Sequence, residues 1–303
     1  MQGRLIVFEG TDGSGKATQT ALLCRELDRR GVPYRRLEFP RYQEESSALI
    51  RLYLSGAFGA HPDDVNAYAA TAFYSVDRFA SYRQDWGAFY ESGGLVIADR
   101  YTTSNAVHQT PKLPREERRA FLKWLFDFEY RLLELPKPDR VVYLDLPTEI
   151  SEEMMRRREE KTHTQADIHE RDEAYLAACR ESAELIITLC GWEKIDCSRD
   201  GQIRSPEDIH REVLARVEDL LVPCRAGERG DTGPRFLSVC SQQEQPRLFP
   251  FPQQQKSRSR ITMSQMQEQL LLSKHMFFTS LTCWYSIVWG RVEKWNLSGS
   301  YYR

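Results

Sequence analysis

The chain has 303 residues, with 42 Lys and Arg against 44 Asp and Glu, a formal net charge of -2, and 41% hydrophobic and 28% charged residues. That mixture excludes a disordered, collagen-like or disulfide-stapled chain. It also argues against a protein dedicated to coating nucleic acid, which needs a basic excess.

In chain order, Leu5-Ile6-Val7-Phe8 predicts a buried strand and residues 18–30 a helix stopped by Gly31. Residues 34–39 predict a second strand. One long helix is expected over 64–90, ended by Gly93-Gly94. Leu95-Val96-Ile97-Ala98 is the third strand. Pro114 opens a helix that runs out near Pro136, and Val141-Val142-Tyr143-Leu144 is the fourth strand. Helices are expected near 149–158 and 170–189, with a fifth strand at 192–195. The last helix has Ser205 as N-cap, Pro206 at its first position, and an apolar face of Ile209, Val213, Val217, Leu220 and Leu221. Continuously apolar strands alternating with helices predict an α/β fold: a parallel sheet of about five strands with helices on both faces.

Composition divides the chain in two. From Pro223 onward there are 11 Lys and Arg against 5 Asp and Glu, a net of +6, whereas the first 222 residues carry a net of -8. Residues 242–260 are rich in Gln, Pro, Ser and Arg and read as a linker or disordered segment. The expected organisation is one domain over 1–222 and an irregular extension over 223–303, disordered or non-native, with no assigned function. Its apolar stretch at 276–289 is short for a membrane span. The 7 cysteines are odd in number, lack CxxC pairs and lack zinc-ligand spacing. Free thiols in a reducing compartment follow. The opening residues show no signal-peptide pattern, so a cytoplasmic protein is expected.

The strongest signal is Gly10-Thr11-Asp12-Gly13-Ser14-Gly15-Lys16-Ala17-Thr18, lying between the first strand and the first helix. Glycines let backbone N–H groups curl around an anion, the helix N-terminus adds partial positive charge, and Lys16 supplies a point charge for the β- and γ-phosphates of a nucleotide. After the lysine the pattern has Ser or Thr, whose hydroxyl meets Mg²⁺; here it is Ala17. The metal would then take a water in place of that hydroxyl.

A second phosphate must face the first for in-line transfer, and it needs fixed cations. Arg41 and Arg100 follow the second and third strands, at the edge where open α/β sheets bind ligands, and both can fork onto a phosphate. Asp99 closes the third strand and Asp145 the fourth; either could hold Mg²⁺ through water. Tyr74 and Arg78 share a helix face and could stack on a base and donate to it.

Five motifs resemble the thymidylate kinase family over residues 3–222: Glu9-Gly10-Thr11-Asp12-Gly13, Phe39-Pro40-Arg41-Tyr42, Tyr74-Ser75-Val76-Asp77-Arg78, Asp99-Arg100-Tyr101 with Ser104-Asn105, and Asp167-Ile168-His169-Glu170. The resemblance implies a P-loop kinase fold, a three-layer sandwich with a mobile lid, and transfer from ATP to dTMP with Mg²⁺. It implies that Arg41 and Arg100 contact the acceptor phosphate, that Asp12 contacts the acceptor 3′-hydroxyl, and that Tyr74, Arg78 and Asn105 read thymine. Tyr101 and His108 would line the same wall. It favours Asp99 over Asp145 as the metal-facing carboxylate. It places a catalytic arginine in the lid, among Arg156, Arg157 and Arg158 with Arg171 as a further candidate, and an acidic pair at Asp167 and Glu170. It also implies a homodimer. No nucleic-acid or membrane partner is expected. Two other readings stay open: another P-loop kinase of small (deoxy)nucleosides or nucleotides, and a nucleotide-binding regulator whose turnover is impaired at Ala17.

Overall fold

The computed structural model describes residues 2–162, 168–169 and 172–221. The C-terminal extension lies outside the described residues.

Five parallel strands form the sheet: β1 (Arg4–Gly10), β2 (Tyr34–Glu38), β3 (Leu95–Asp99), β4 (Arg140–Asp145) and β5 (Glu193–Asp196), in the order β2-β3-β1-β4-β5. The middle residues of the central strands are apolar without a break because both faces are covered. Leu5, Val7, Val96, Ala98, Val141 and Tyr143 pack on one side with Trp86, Phe121 and Ile186. Their alternates Ile6, Phe8, Ile97, Val142 and Leu144 pack on the other with Leu23, Leu27, Ile209 and Val213. Period-2 alternation thus sends each strand into two cores.

The strand order reverses on either side of β1, so a crevice opens at the C-terminal ends of β1 and β3. The helices α1 (Lys16–Arg30) and α9 (Pro206–Leu221) cover the second core. Ser205 caps α9, its Oγ accepting from Asp208 N at 3.2 Å. Ser205→Ala is expected to cost about 1 kcal/mol, read by denaturant unfolding of the full chain.

The expected single helix over 64–90 is corrected. Asn66 caps α3 (Ala67–Ser81), accepting from Ala69 N at 2.9 Å. A π turn (Tyr82–Trp86) then interrupts the run before α4 (Gly87–Glu91). Gly87 explains the turn: a Cβ there would lie 2.5 Å from the Tyr82 carbonyl oxygen, so only glycine lets that carbonyl come so close. A second π segment (Asp127–Leu132) follows α6 (Arg115–Phe126) and carries the buried Glu129.

Three elements have no counterpart in the sequence reading: α2 (Ala48–Leu54), α5 (Thr102–Gln109) and the hairpin β6 (Ser198–Arg199) to β7 (Gln202–Ile203). The remaining helices, α7 (Thr148–Thr162) and α8 (Glu173–Cys190), fall near their expected places.

Candidate active site

The loop after β1 is shaped by two glycines that no other residue could replace. Gly10 has φ 149°, and a Cβ on it would lie 2.6 Å from Leu144 O. Gly13 has φ 80°, and its Cβ would lie 2.7 Å from Ser151 O. The start of α7 therefore seats directly on the loop, and the Ser151 hydroxyl donates to the Asp12 carbonyl. Lys16 folds back over the loop, with Nζ donating to Gly10 O at 3.0 Å and Thr11 O at 2.9 Å and standing 3.8 Å from the Asp12 carboxylate. Burial pushes the Lys16 ammonium below its ordinary pKa, nearby Arg100 pushes the same way, and Asp12 opposes both. The Thr11 and Ser14 hydroxyls are buried and meet no partner among the described residues. Each can donate to a phosphate oxygen. Ala17 and Thr18 are exposed at the start of α1.

Arg100 stands at the mouth of the crevice. Its backbone lies in the left-handed region, φ 66°, and its N–H donates to Phe8 O at 3.1 Å across the sheet. A non-glycine residue held there costs about 1–3 kcal/mol and marks a position fixed by its surroundings. The guanidinium bonds the Asp12 carboxylate and reaches His108 Nε2 at 3.1 Å. A guanidinium has no acceptor, so Nε2 must accept, which leaves the proton on Nδ1, 3.6 Å from Cys179 Sγ. Burial, with Arg100 beside it, pushes His108 well below the usual imidazole range. Burial also opposes the charge on Arg100, but Asp12, Glu9 and Asp99 outweigh it and raise its pKa.

Two acids lie beneath this pair. Glu9 is buried and accepts from Tyr101 N at 3.3 Å, Thr103 Oγ1 at 2.6 Å and Ser104 Oγ at 2.8 Å. Burial raises its pKa, while Arg100 and the two hydroxyls oppose the rise. Asp99, also buried, makes no side-chain hydrogen bond or ion pair among the described residues, yet sits in the field of Lys16 and Arg100. Asp145 is different: Arg180 at 3.2 Å and Lys194 at 2.8 Å engage it. A structural ion-pair role fits it.

Arg41, after β2, is held by Asp77 of α3. The Asp77 carboxylate accepts from Arg41 N at 2.9 Å and Nε at 3.3 Å, while Ser46 Oγ lies 3.1 Å from Nη2 and donates to Asp77 at 2.6 Å. Arg78 is buried on Glu129, with Nε donating at 2.8 Å, and Asn105 Nδ2 reaches the same carboxylate at 3.3 Å. Tyr74 is half-buried against the small cluster of Ile50, Tyr53 and Ile168. Tyr101 turns its ring into the core beside Phe39 and Trp86, with its hydroxyl donating to Pro136 O at 3.0 Å. That ring lies beneath the site rather than in its wall.

On the lid side, Arg156 is exposed on α7 and pairs with Glu153. The side chains of Arg157 and Arg158, and residues Asp167, Glu170 and Arg171, lie outside the described part. Between them His169 is buried, its Nε2 2.8 Å from Tyr53 Oη, and Ile168 N donates to Leu54 O at 3.3 Å.

The structure thus joins Lys16, Asp12, Arg100 and His108 in one chain of contacts. It holds Arg41 on Asp77, and Arg78 with Asn105 on Glu129. Sequence reasoning gave no roles to Glu9, Asp77 and Glu129. The first two lie inside the quoted motifs, which was the available signal; Glu129 carries none. Among the described residues no cluster of three or more His, Cys, Asp and Glu is arranged to hold a metal, and no helix is long and apolar enough to cross a membrane.

The family model described as thymidylate kinase matches residues 8–200. The thymidylate kinase of Mycobacterium tuberculosis (strain CDC 1551 / Oshkosh) is 32% identical over 170 residues, covering 55% of this chain and 78% of its own length. The probable thymidylate kinase of Thermococcus gammatolerans is 28% identical over 225 residues, covering 73% and 98%. A solved thymidylate kinase from Candida albicans has the same fold at a TM-score of 0.55 and 21% identity, covering 72% of this chain and 92% of its own.

Proposed function

Because the chain belongs to the thymidylate kinase family and transfers a phosphoryl group from ATP to dTMP, giving ADP and dTDP, we propose that the residues around Lys16 and Arg100 perform the transfer. The observation that carries this reading is the shared carboxylate: Asp12 lies between the Lys16 ammonium and the Arg100 guanidinium. Two cations, one opening α1 and one following β3, therefore meet across one acid.

The donor phosphates lie against the backbone amides of 10–16 and the N-terminus of α1, with the Thr11 and Ser14 hydroxyls as further donors. Lys16 gives up the Gly10 and Thr11 carbonyls for a phosphate oxygen. Arg100 and Arg41 fork onto the dTMP phosphate, His108 and Asp77 fixing their planes. Asp12, released from Arg100, meets the acceptor 3′-hydroxyl. Tyr74 stacks on thymine, and Arg78 and Asn105 read its edge. An arginine of the 156–158 run comes over the γ-phosphoryl oxygens, where charge spreads in the transition state. Asp167 and Glu170 close on the acceptor side.

Asp99 fits Mg²⁺, which keeps most of its waters and takes one or two carboxylates beside the nucleotide's phosphates. Its carboxylate is not engaged by any hydrogen bond or ion pair among the described residues. Held by Asp99, the ion would supply positive charge against the nucleotide's phosphates. The protein acts in the cytoplasm as a homodimer; Val76 and Phe79, exposed on α3, suit such a contact.

A coupled ADP-release assay across dTMP, dUMP, dCMP and thymidine tests this, run on the full chain and on a chain ending at Val222. Strong dTMP-dependent release from both is expected. Release with thymidine but not dTMP would instead indicate a nucleoside kinase. Ala17 motivates the regulator reading, which would show as tight ATP binding without dTMP-dependent ADP. Ala17→Ser is expected to strengthen Mg²⁺ dependence of turnover by about tenfold, measured as the Mg²⁺ concentration giving half-maximal rate. An unchanged value would remove Ala17 as the limiting feature.

A further inference from the structure

Glu129 is fully buried on the π segment after α6, and one carboxylate there gathers donors from two other helices. Oε2 accepts from Arg78 Nε at 2.8 Å and Thr102 Oγ1 at 2.6 Å. Oε1 accepts from Ser75 Oγ at 2.8 Å, Asn105 Nδ2 at 3.3 Å and Arg78 Nη2. Arg78 and Asn105, the two residues read above as facing thymine, are therefore both tied to one fully buried acid.

The chemistry of that acid decides how each presents itself. A carboxylate only accepts, so the Asn105 amide must turn Nδ2 toward it. Thr71 O takes a second Nδ2 contact at 3.4 Å. The amide nitrogen is consumed, while Oδ1 accepts no hydrogen bond among the described residues. Asn105 is thereby fixed as an acceptor. Arg78 spends Nε and Nη2 on Glu129 and points Nη1 toward Tyr101 O at 3.4 Å. Its remaining N–H groups are donors only. A base that offers a donor N–H at N3 and an acceptor oxygen at C4 matches this edge. Cytosine, with an acceptor at N3 and an amino group at C4, meets an acceptor and a donor of the wrong sign at both places.

We propose that Glu129 is a positioning residue that sets the acceptor-and-donor polarity of the base-reading edge, and so selects thymine- and uracil-type nucleotides against cytosine-type ones. This rests on the placement of Arg78 and Asn105 at the base. The Glu129→Gln change would supply an N–H at this position, which frees the Asn105 amide to turn.

The test compares kcat/KM for dTMP and dCMP in the wild-type chain, Glu129→Gln and Glu129→Asp, with KM for ATP as a check that the nucleotide loop is intact. The aspartate variant keeps a carboxylate for Arg78 and guards against a fold lost to an unpaired buried guanidinium. In Glu129→Gln the dTMP-over-dCMP preference is expected to fall at least about tenfold, with ATP KM within about twofold, because mispairing at a hydrogen-bonding edge carries most of such discrimination. The aspartate variant is expected to keep the preference near the wild-type value, because its carboxylate still only accepts. An equal loss for both nucleotides in folded Glu129→Gln, or a lost preference in folded Glu129→Asp, would overturn the proposal. If the wild-type chain itself fails to prefer dTMP over dCMP, the placement of Arg78 and Asn105 at the base fails, and the Glu129 proposal falls with it.

Discussion

Lys16→Met is expected to lower kcat by about 10³-fold, while dTMP affinity stays within a few-fold, because the lost charge acts on phosphate oxygens as they gain charge in the transition state. The methionine keeps the aliphatic stem, so packing over the loop is largely preserved. It removes the donor to Gly10 O and Thr11 O and the ion pair with Asp12, while the bond between Asp12 and Arg100 remains. Single-turnover ADP release at saturating ATP, beside dTMP binding by calorimetry, separates the two effects. A kcat within tenfold of wild type would show that Lys16 is not the cation on the transferring group.

Arg100→Met is expected to act on the other side of the transfer. Removing a charged fork from a partly buried phosphate contact costs about 2–5 kcal/mol, so kcat/KM for dTMP should fall by roughly 30- to 4,000-fold. Most of the loss should appear in KM for dTMP, with KM for ATP little changed. The change also removes the Arg100 bond to Asp12 and deprives His108 Nε2 of its donor. Because Lys16 and Arg100 share Asp12, the two substitutions should not add: the double variant should lose less than the sum of the singles. Strict additivity in that cycle would mean the two cations act independently, and an unchanged KM for dTMP would take Arg100 off the acceptor phosphate.

What could be read in advance followed from chemistry local to the chain. The strands β1, β3 and β4 were visible because a sheet covered on both faces needs apolar residues at every position. The phosphate loop was visible because its glycines, its lysine and its place between strand and helix are neighbours in sequence. The helix α5 was not visible: Thr102, Thr103, Ser104 and Asn105 look like a polar loop. Thr102, Thr103 and Asn105 are buried and Ser104 partly so, with Glu9 and Glu129 accepting from them. Those partners stand far along the chain, and no periodicity announces them. The break in the 64–90 helix hid for a related reason, since a lone glycine at 87 reads as a mild helix weakener until the Tyr82 carbonyl is seen against it. In the site, Arg41 and Arg100 were legible as residues that follow strands. Asp77 and Glu129, which hold Arg41 and Arg78 in place, became apparent only through tertiary contact.

The left-handed backbone at Arg100 bears on how this enzyme could be improved. Glycine adopts that conformation freely, so a screen that rewards heat resistance alone will tend to enrich Gly at codon 100. Such clones would be sturdier and inert. Hardening the scaffold is therefore better begun at the periphery, with every round scored for turnover as well as melting.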